Sequence, residues 1–289
     1  MTKRIFTIKY EALITQNKPG ETLFWFSLPQ NDNYQKVLNT EVNREHLSEY
    51  FTKENAIRFY RSREKDFRFT AIIKVELQKD ASFSNREISF IQANGKSENE
   101  PYLNNDQLTT KVTMKLQGDD NTKLRGLMDF INEKFEYCYP VKYRGVENLR
   151  IDNLSGDCGE YSALFVASAR ELGISARNET GFVLYPKEKT IREHGWASCL
   201  TTDGWKDFDP QYSQLDNDID KYFGRRDDYR IIFCHGFNQK LLPRIPDSYS
   251  LEFWKELGLP ATKDAVQIMQ PIFFACENNF EFQEEISIA

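Results

Sequence analysis

The apolar residues of this chain change period near residue 118, and that switch limits the folds open to it. Before it, Phe6–Leu13, Thr22–Leu28, Phe67–Leu77 and Thr110–Leu116 tend to alternate apolar with polar residues, with polar turn clusters between them. Successive strand side chains point to opposite faces, so such segments bury one face each and read as strands. A β-sandwich-like domain over residues 1–117 is the expectation, with the Asn-, Ser- and Glu-rich stretch Ser82–Asp106 as surface loop. Beyond the switch, Leu124, Leu127, Met128, Ile131 and Phe135 recur mainly every three or four residues, which predicts an amphipathic helix ending near Tyr137. A second helical stretch runs from Cys158 to Leu172, and alternating segments return at 179–185, 194–200 and 205–209. Helices followed by strands is an α+β order, unlike the steady alternation of a parallel βαβ sheet. The expected organisation is therefore the β-domain, a core over 118–245, and an extension over 246–289. Strands of that extension, in Ala265–Ala275 and Asn279–Ser287, are expected to join one of the two domains.

Composition excludes several function classes. The net charge is −6 with Lys and Arg scattered, so the basic stripe of a nucleic-acid binder is missing. No run approaches the ~18 apolar residues that span a bilayer. The N-terminus has a basic start but no apolar segment and no small-residue cleavage site, which makes the cytoplasm the expected compartment. The cysteines number five, are widely spaced and include no C-x-x-C pair, which argues against a disulfide framework and a structural zinc site. No cofactor and no metal is expected, and the oligomeric state is open.

One cysteine has a setting that suggests chemistry. In Ser155-Gly156-Asp157-Cys158-Gly159-Glu160-Tyr161, Asp157 is a good N-cap and Glu160, three residues on, makes a capping-box pattern. An apolar, small-residue helix follows, closed by Gly173. Cys158 then lies in a first helical turn, where the helix dipole and a neighbouring histidinium can lower a thiol pKa from ~8.5 to as little as ~3.5. Its own N–H would be one of the unpaired first-turn donors, available to a developing oxyanion. Cys138, at a helix end, and Cys199, Cys234 and Cys276, in or beside strands, read as structural.

A cysteine nucleophile needs a base, and the chain has three histidines. His46 lies in a charged stretch without a partner, and His235 follows a strand. His194 opens the strand-like run His194–Leu200, followed by a turn at Thr201–Gly204 and the run Trp205–Asp209 before Pro210. Such a hairpin carries His194 and Asp209 at one end. A two-residue Asp203-Gly204 turn would set Asp209 opposite Ser198, roughly 13 Å along the strand from His194. Pairing them therefore calls for a wider turn or a bulge. Trp196 and Trp205 read as packing that shields this end.

Taken together, these segments resemble the transglutaminase-like superfamily, a branch of the papain-like cysteine enzymes. The resemblance rests on Gly156-Asp157-Cys158, Gly173-Ile174-Ser175-Ala176-Arg177, His194-Gly195-Trp196 and Trp205-Lys206-Asp207-Phe208-Asp209-Pro210, in that order. It covers roughly residues 120–215, and departs mildly at Gly195, where many members have Ala. It implies an α+β core with the cysteine helix packed on an antiparallel sheet, and an N-terminal β-domain as in bacterial-type members. It also implies Cys158 as nucleophile, His194 as general base and acid, and Asp209 as the orienting carboxylate.

The expected activity is thiol acyl transfer at peptide or side-chain amides, with a peptide or protein as substrate. Hydrolysis, as in a cysteine peptidase or amidase, is favoured. The alternatives are transfer of a glutamine acyl group to an amine, which uses the same residues, and a non-catalytic binding module.

Overall fold

The computed structural model describes residues 3–32, 34–52, 55–78, 101–227, 229–259 and 261–288. The expected surface loop lies outside the described residues as far as residue 100. The first six strands are β1 (Lys3–Gln16), β2 (Thr22–Leu28), β3 (Gln35–Val42), β4 (Ser48–Thr52), β5 (Asn55–Ser62) and β6 (Asp66–Gln78). They divide between two antiparallel sheets, β1-β6-β3 and β2-β5-β4. The alternation read from the sequence sets their inner faces: Ile8, Tyr10, Ala12 and Ile14 of β1 are buried, as are Phe67, Phe69, Ala71, Ile73 and Val75 of β6. Phe24 and Phe26 of β2 meet Phe69 across the gap at ring-centroid distances of 4.7 and 5.1 Å. Each such ring contributes roughly 1.5–3 kcal/mol through burial.

The first helix begins earlier than the sequence pattern suggested. Residues Asp106–Thr113 form helix α1, although Thr110–Leu116 alternates like a strand. Asn105 caps the helix by accepting the Leu108 N–H, and Leu108 and Val112, four apart, are buried together against the cysteine helix. A cap and an i, i+4 pair outweigh a short alternation. After it come α2 (Asp120–Lys134), β7 (Phe135–Tyr137), β8 (Leu154–Gly156) and α3 (Cys158–Glu171). The chain continues through β9 (Ala176–Tyr185), β10 (Thr190–Thr201), β11 (Gly204–Phe208), α4 (Pro210–Leu215), α5 (Ile219–Tyr222) and β12 (Arg230–His235). Strands β11-β10-β9-β12 form one antiparallel sheet. Ala176, Ala197 and Cys199 of this sheet pack with α3, while Phe182, Leu184, Ile231 and Phe233 join the core of the sandwich.

Strand β12 is the edge of that sheet, and side-chain amides from the sandwich satisfy its outer rim. Gln35 accepts the Ile232 N–H at 2.8 Å and donates to its carbonyl at 2.9 Å. Asn55 does the same for His235, at 2.7 and 2.8 Å. Each amide carries one donor and one acceptor in the spacing of a strand neighbour, so an otherwise open edge is covered. Gly181 is required on the inner side: a Cβ there would lie 1.8 Å from the Ile231 carbonyl oxygen, where β12 bulges.

The remaining elements are β13 (Gln239–Lys240), α6 (Glu252–Glu256), β14 (Ala265–Val266), β15 (Ile272–Cys276) and β16 (Phe280–Ile288). The C-terminal strands turn back to the sandwich, β15 pairing with β2 and β16 with β1. Each sheet of the sandwich thus takes one strand from the chain's end. Among the described residues no helix is long and apolar enough to cross a membrane.

Candidate active site

Cys158 is the first residue of α3, half-buried, behind the N-cap Asp157. The capping box is complete: Asp157 accepts the Gly159 N–H at 2.8 Å, and Glu160 reaches back to the Asp157 N–H. Since the cap takes the Gly159 donor, the Cys158 N–H at the first helical position is free of it. The cap itself rests on a buried arginine that sequence reasoning missed. Arg144 Nη2 lies 2.7 Å from Asp157 Oδ2, and its Nη1 is 2.9 Å from Asp157 Oδ1 and 3.1 Å from Glu160 Oε2. Tyr102 donates to the other Glu160 oxygen at 2.5 Å. Two carboxylates under one helix end need such a cation, and Arg144 holds Asp157 below its ordinary range against the opposing effect of burial.

His194 lies in β10 and is buried, its ring stacked on Tyr212 at 4.3 Å and 17°. Its Nε2 is 2.7 Å from Asp209 Oδ2. The backbone of the next residue, Gly195, is near enough to the Cys158 thiol to favour its ionised form, which sets the sulfur against the strand that carries His194. Of the three residues singled out from the sequence, His194 and Asp209 are in direct contact, and Cys158 lies next to the residue that follows the histidine.

The hairpin reaches this geometry by a route the sequence argument did not contain. Thr201 pairs with Gly204 and Ala197 with Phe208, so the turn is the two-residue Thr202-Asp203. On that register Asp209 would follow Phe208 to a place opposite Trp196, two residues from His194. No wide turn or bulge closes the gap. The chain instead leaves the strand, and Asp209 becomes the N-cap of α4, accepting the Tyr212 N–H at 3.0 Å with Oδ1. That leaves Oδ2 for the histidine.

The same oxygen has a second partner: Arg230 Nη1 approaches it at 2.6 Å. Arg230 is buried among the rings of Trp196, Tyr212 and Tyr222 and holds Asp227 at 2.9 Å with Nε. The only sequence signal for it is a cation opening the apolar run Ile231–Cys234. Burial works to raise the Asp209 carboxyl, but His194 and Arg230 outweigh it and hold the group well below the usual carboxylate range. Next to it, Asp207 accepts from Trp196 Nε1 at 2.9 Å and from Arg226 Nε at 2.5 Å. Trp196 is thus packed and anchored under the site.

The thiol departs from expectation. Burial pushes Cys158 well above the ordinary thiol range, and the Asp157 carboxylate adds to this; the Gly195 backbone pulls the other way. The helix terminus is not simply positive, because its cap carries two carboxylates. These influences favour the neutral thiol over the thiolate, so attack calls for a base.

The other candidates have different partners. His235 pairs through Nδ1 with Glu179, which also binds Arg177 at 2.8 Å. His46 packs edge-on to Tyr60 in the sandwich. Cys199, Cys234 and Cys276 are buried, whereas Cys138 is exposed and is not a packing residue. No cluster of His, Cys, Asp and Glu among the described residues could hold a metal ion.

Residues 106–210 match the model of the transglutaminase-like superfamily. No curated protein matches the chain. A candidate cysteine protease from Cytophaga hutchinsonii superposes with a TM-score of 0.54 at 15% identity, over 99% of this chain and 92% of that one. The periplasmic domain of TgpA from Pseudomonas aeruginosa, solved with ethylmercury, gives 0.37 at 14% identity, over 75% and 92%. The first of these shares the fold from end to end, N-terminal β-rich region included. The chain is thus built around a transglutaminase-like domain at residues 106–210, with an antiparallel β-rich region on its N-terminal side.

Proposed function

We propose that the protein is a thiol hydrolase of amide bonds, acting through Cys158, His194 and Asp209. The observation that carries this reading is the 2.7 Å contact of His194 Nε2 with Asp209, with Cys158 opening a capped helix next to Gly195, the residue after the histidine. With Nε2 donating to the carboxylate, Nδ1 keeps the lone pair and is the nitrogen left to act as base.

Nδ1 takes the thiol proton as Cys158 Sγ attacks the amide carbonyl, and the carbonyl π electrons move to oxygen. The Cys158 N–H, free of its cap, stabilises that oxyanion. Collapse expels the amine, which receives the proton from Nδ1, and leaves a thioester on Cys158. Water then attacks the thioester with His194 as base again, releasing the acid and restoring the thiol. Cys158 is not fully enclosed, so water can reach the thioester.

The test is turnover of a fluorogenic peptide library by the wild type and by Cys158→Ala and His194→Ala, with dansylcadaverine as a competing amine. Cleavage lost in both variants supports the reading. Incorporation of the amine at the expense of cleavage would make the enzyme a transferase. Absence of both reactions would leave a binding module.

A further inference from the structure

The rim of the thiol site carries an unusual group of exposed tyrosines. Large apolar side chains usually leave the surface unless something covers them. Tyr137, Tyr139 and Tyr143 are exposed by 58%, 67% and 65%, the first at the end of β7 and the other two in the loop that follows. Leu257, exposed by 46%, precedes Gly258, where an added Cβ would lie 2.7 Å from the Val141 carbonyl oxygen of the same loop.

Both ends of the loop are pinned to the start of the cysteine helix. On one side Tyr137 pairs with Gly156, and the Cys138 N–H donates to the Gly156 carbonyl at 2.8 Å. On the other, Arg144 grips Asp157 and Glu160. Tyr137 is close enough to Cys158 for the two to interact electrostatically. The segment between the pins therefore borders the nucleophile and is held there by hydrogen bonds at both ends. Lys142 sits over the Tyr143 ring at 5.1 Å, which leaves the rim without net negative charge from its own loop.

We propose that Tyr139 and Tyr143 form a specificity subsite for an apolar or aromatic side chain of a peptide substrate, next to the amide attacked by Cys158. The inference rests on the thiol reading and deepens it. A backbone tied at both ends lowers the entropic cost of binding, and Tyr combines an apolar face with a polar tip suited to a wet rim. A flexible loop would lose this advantage. The thiol's amide chemistry favours a peptide over a carbohydrate as the occupant.

The probes are N-acetyl-phenylalanyl-glycine and N-acetyl-glycyl-glycine chloromethyl ketones, with Cys158 labelling followed by peptide mass mapping. Each rate is divided by the iodoacetamide rate at the same thiol. The wild type is expected to prefer the phenylalanyl probe about tenfold or more, and Tyr139→Ser/Tyr143→Ser to reduce that ratio towards one. Equal rates in the wild type, or a preference that survives the double substitution, overturns the subsite. If no reagent labels Cys158, the thiol reading fails, and the rim is then judged by calorimetry of N-acetyl-phenylalanyl-glycinamide on Cys158→Ala. Binding lost with the two tyrosines retains the subsite. Failure to bind, or binding of an N-acetylglucosamine oligomer instead, rejects it.

Discussion

Arg230 and His194 share one oxygen atom: Asp209 Oδ2 is 2.6 Å from Arg230 Nη1 and 2.7 Å from His194 Nε2. Two donors on one carboxylate oxygen, with the other oxygen capping a helix, leave Asp209 a single orientation. Replacing Arg230 by Met removes a full cation from the buried Asp209 carboxylate, which keeps His194 and the Tyr212 N–H. The expected cost is about 3–5 kcal/mol in urea unfolding. Arg230→Lys should recover part of it. An Arg230→Met protein as stable as the wild type would show that the pair contributes no orientation.

Asp209→Asn keeps the shape but removes the charge that fixes the imidazole tautomer. Amide turnover is expected to fall by about 10²–10⁴-fold, on the pattern of serine triads, with little change in KM. A drop confined to KM would place Asp209 in substrate binding instead.

The depressed carboxyls set the response to acid. Burial opposes ionisation of Glu179, but Arg177 and His235 bring it down to about 2, and Asp209 is lowered in the same sense. A folded-state value below the unfolded one stabilises above the unfolded pKa and is lost as pH falls through the folded value. Stability should therefore be flat above about pH 5 and decline from pH 4 towards pH 2. For Glu179, a shift from 4.5 to about 2 corresponds to roughly 3 kcal/mol. Glu179→Gln should make the acid limb of a urea-melt series shallower, and an unchanged limb would contradict the assignment.

The thiol predicts a pH curve as well. With burial and Asp157 both raising Cys158, iodoacetamide alkylation should keep increasing above neutral pH instead of levelling off in acid. Asp157→Asn keeps a capping residue but removes the charge, and should displace that curve to lower pH. A plateau already present in acid would mean a preformed thiolate–imidazolium pair.

Two glycines should respond oppositely to alanine. At Gly195 a Cβ meets nothing nearer than 3.7 Å, so Gly195→Ala should change stability by no more than about 0.5 kcal/mol. At Gly181 it would strike the Ile231 carbonyl at 1.8 Å, and Gly181→Ala should cost several kcal/mol or prevent folding. Thermal melts of the two variants decide this.

Much of the site was legible because its signals are local. The cap Asp157, the box partner Glu160, the small-residue helix and the hairpin around Thr201–Gly204 each act within a few residues, where side-chain chemistry and backbone geometry are directly coupled. The alternation in β1 and β6 was legible for the same reason. Thr110–Leu116 misled because a short alternating run also fits part of a helix, and only its cap and packing partners separate the two.

The sequence by itself determined much of which residues face inward, which cysteine opens a helix, and that one hairpin and its exit carry a histidine and an aspartate. The tertiary structure alone decided that Asp209 closes on His194 by leaving its strand to cap α4. It also decided that Arg144 and Arg230 arrive from distant segments to neutralise buried carboxylates, and that β15 and β16 return to complete the sandwich. Those features depend on charges and strand edges far apart in the chain, whose partners are chosen by burial: a carboxylate or an open edge taken out of water must find its complement wherever the fold supplies one.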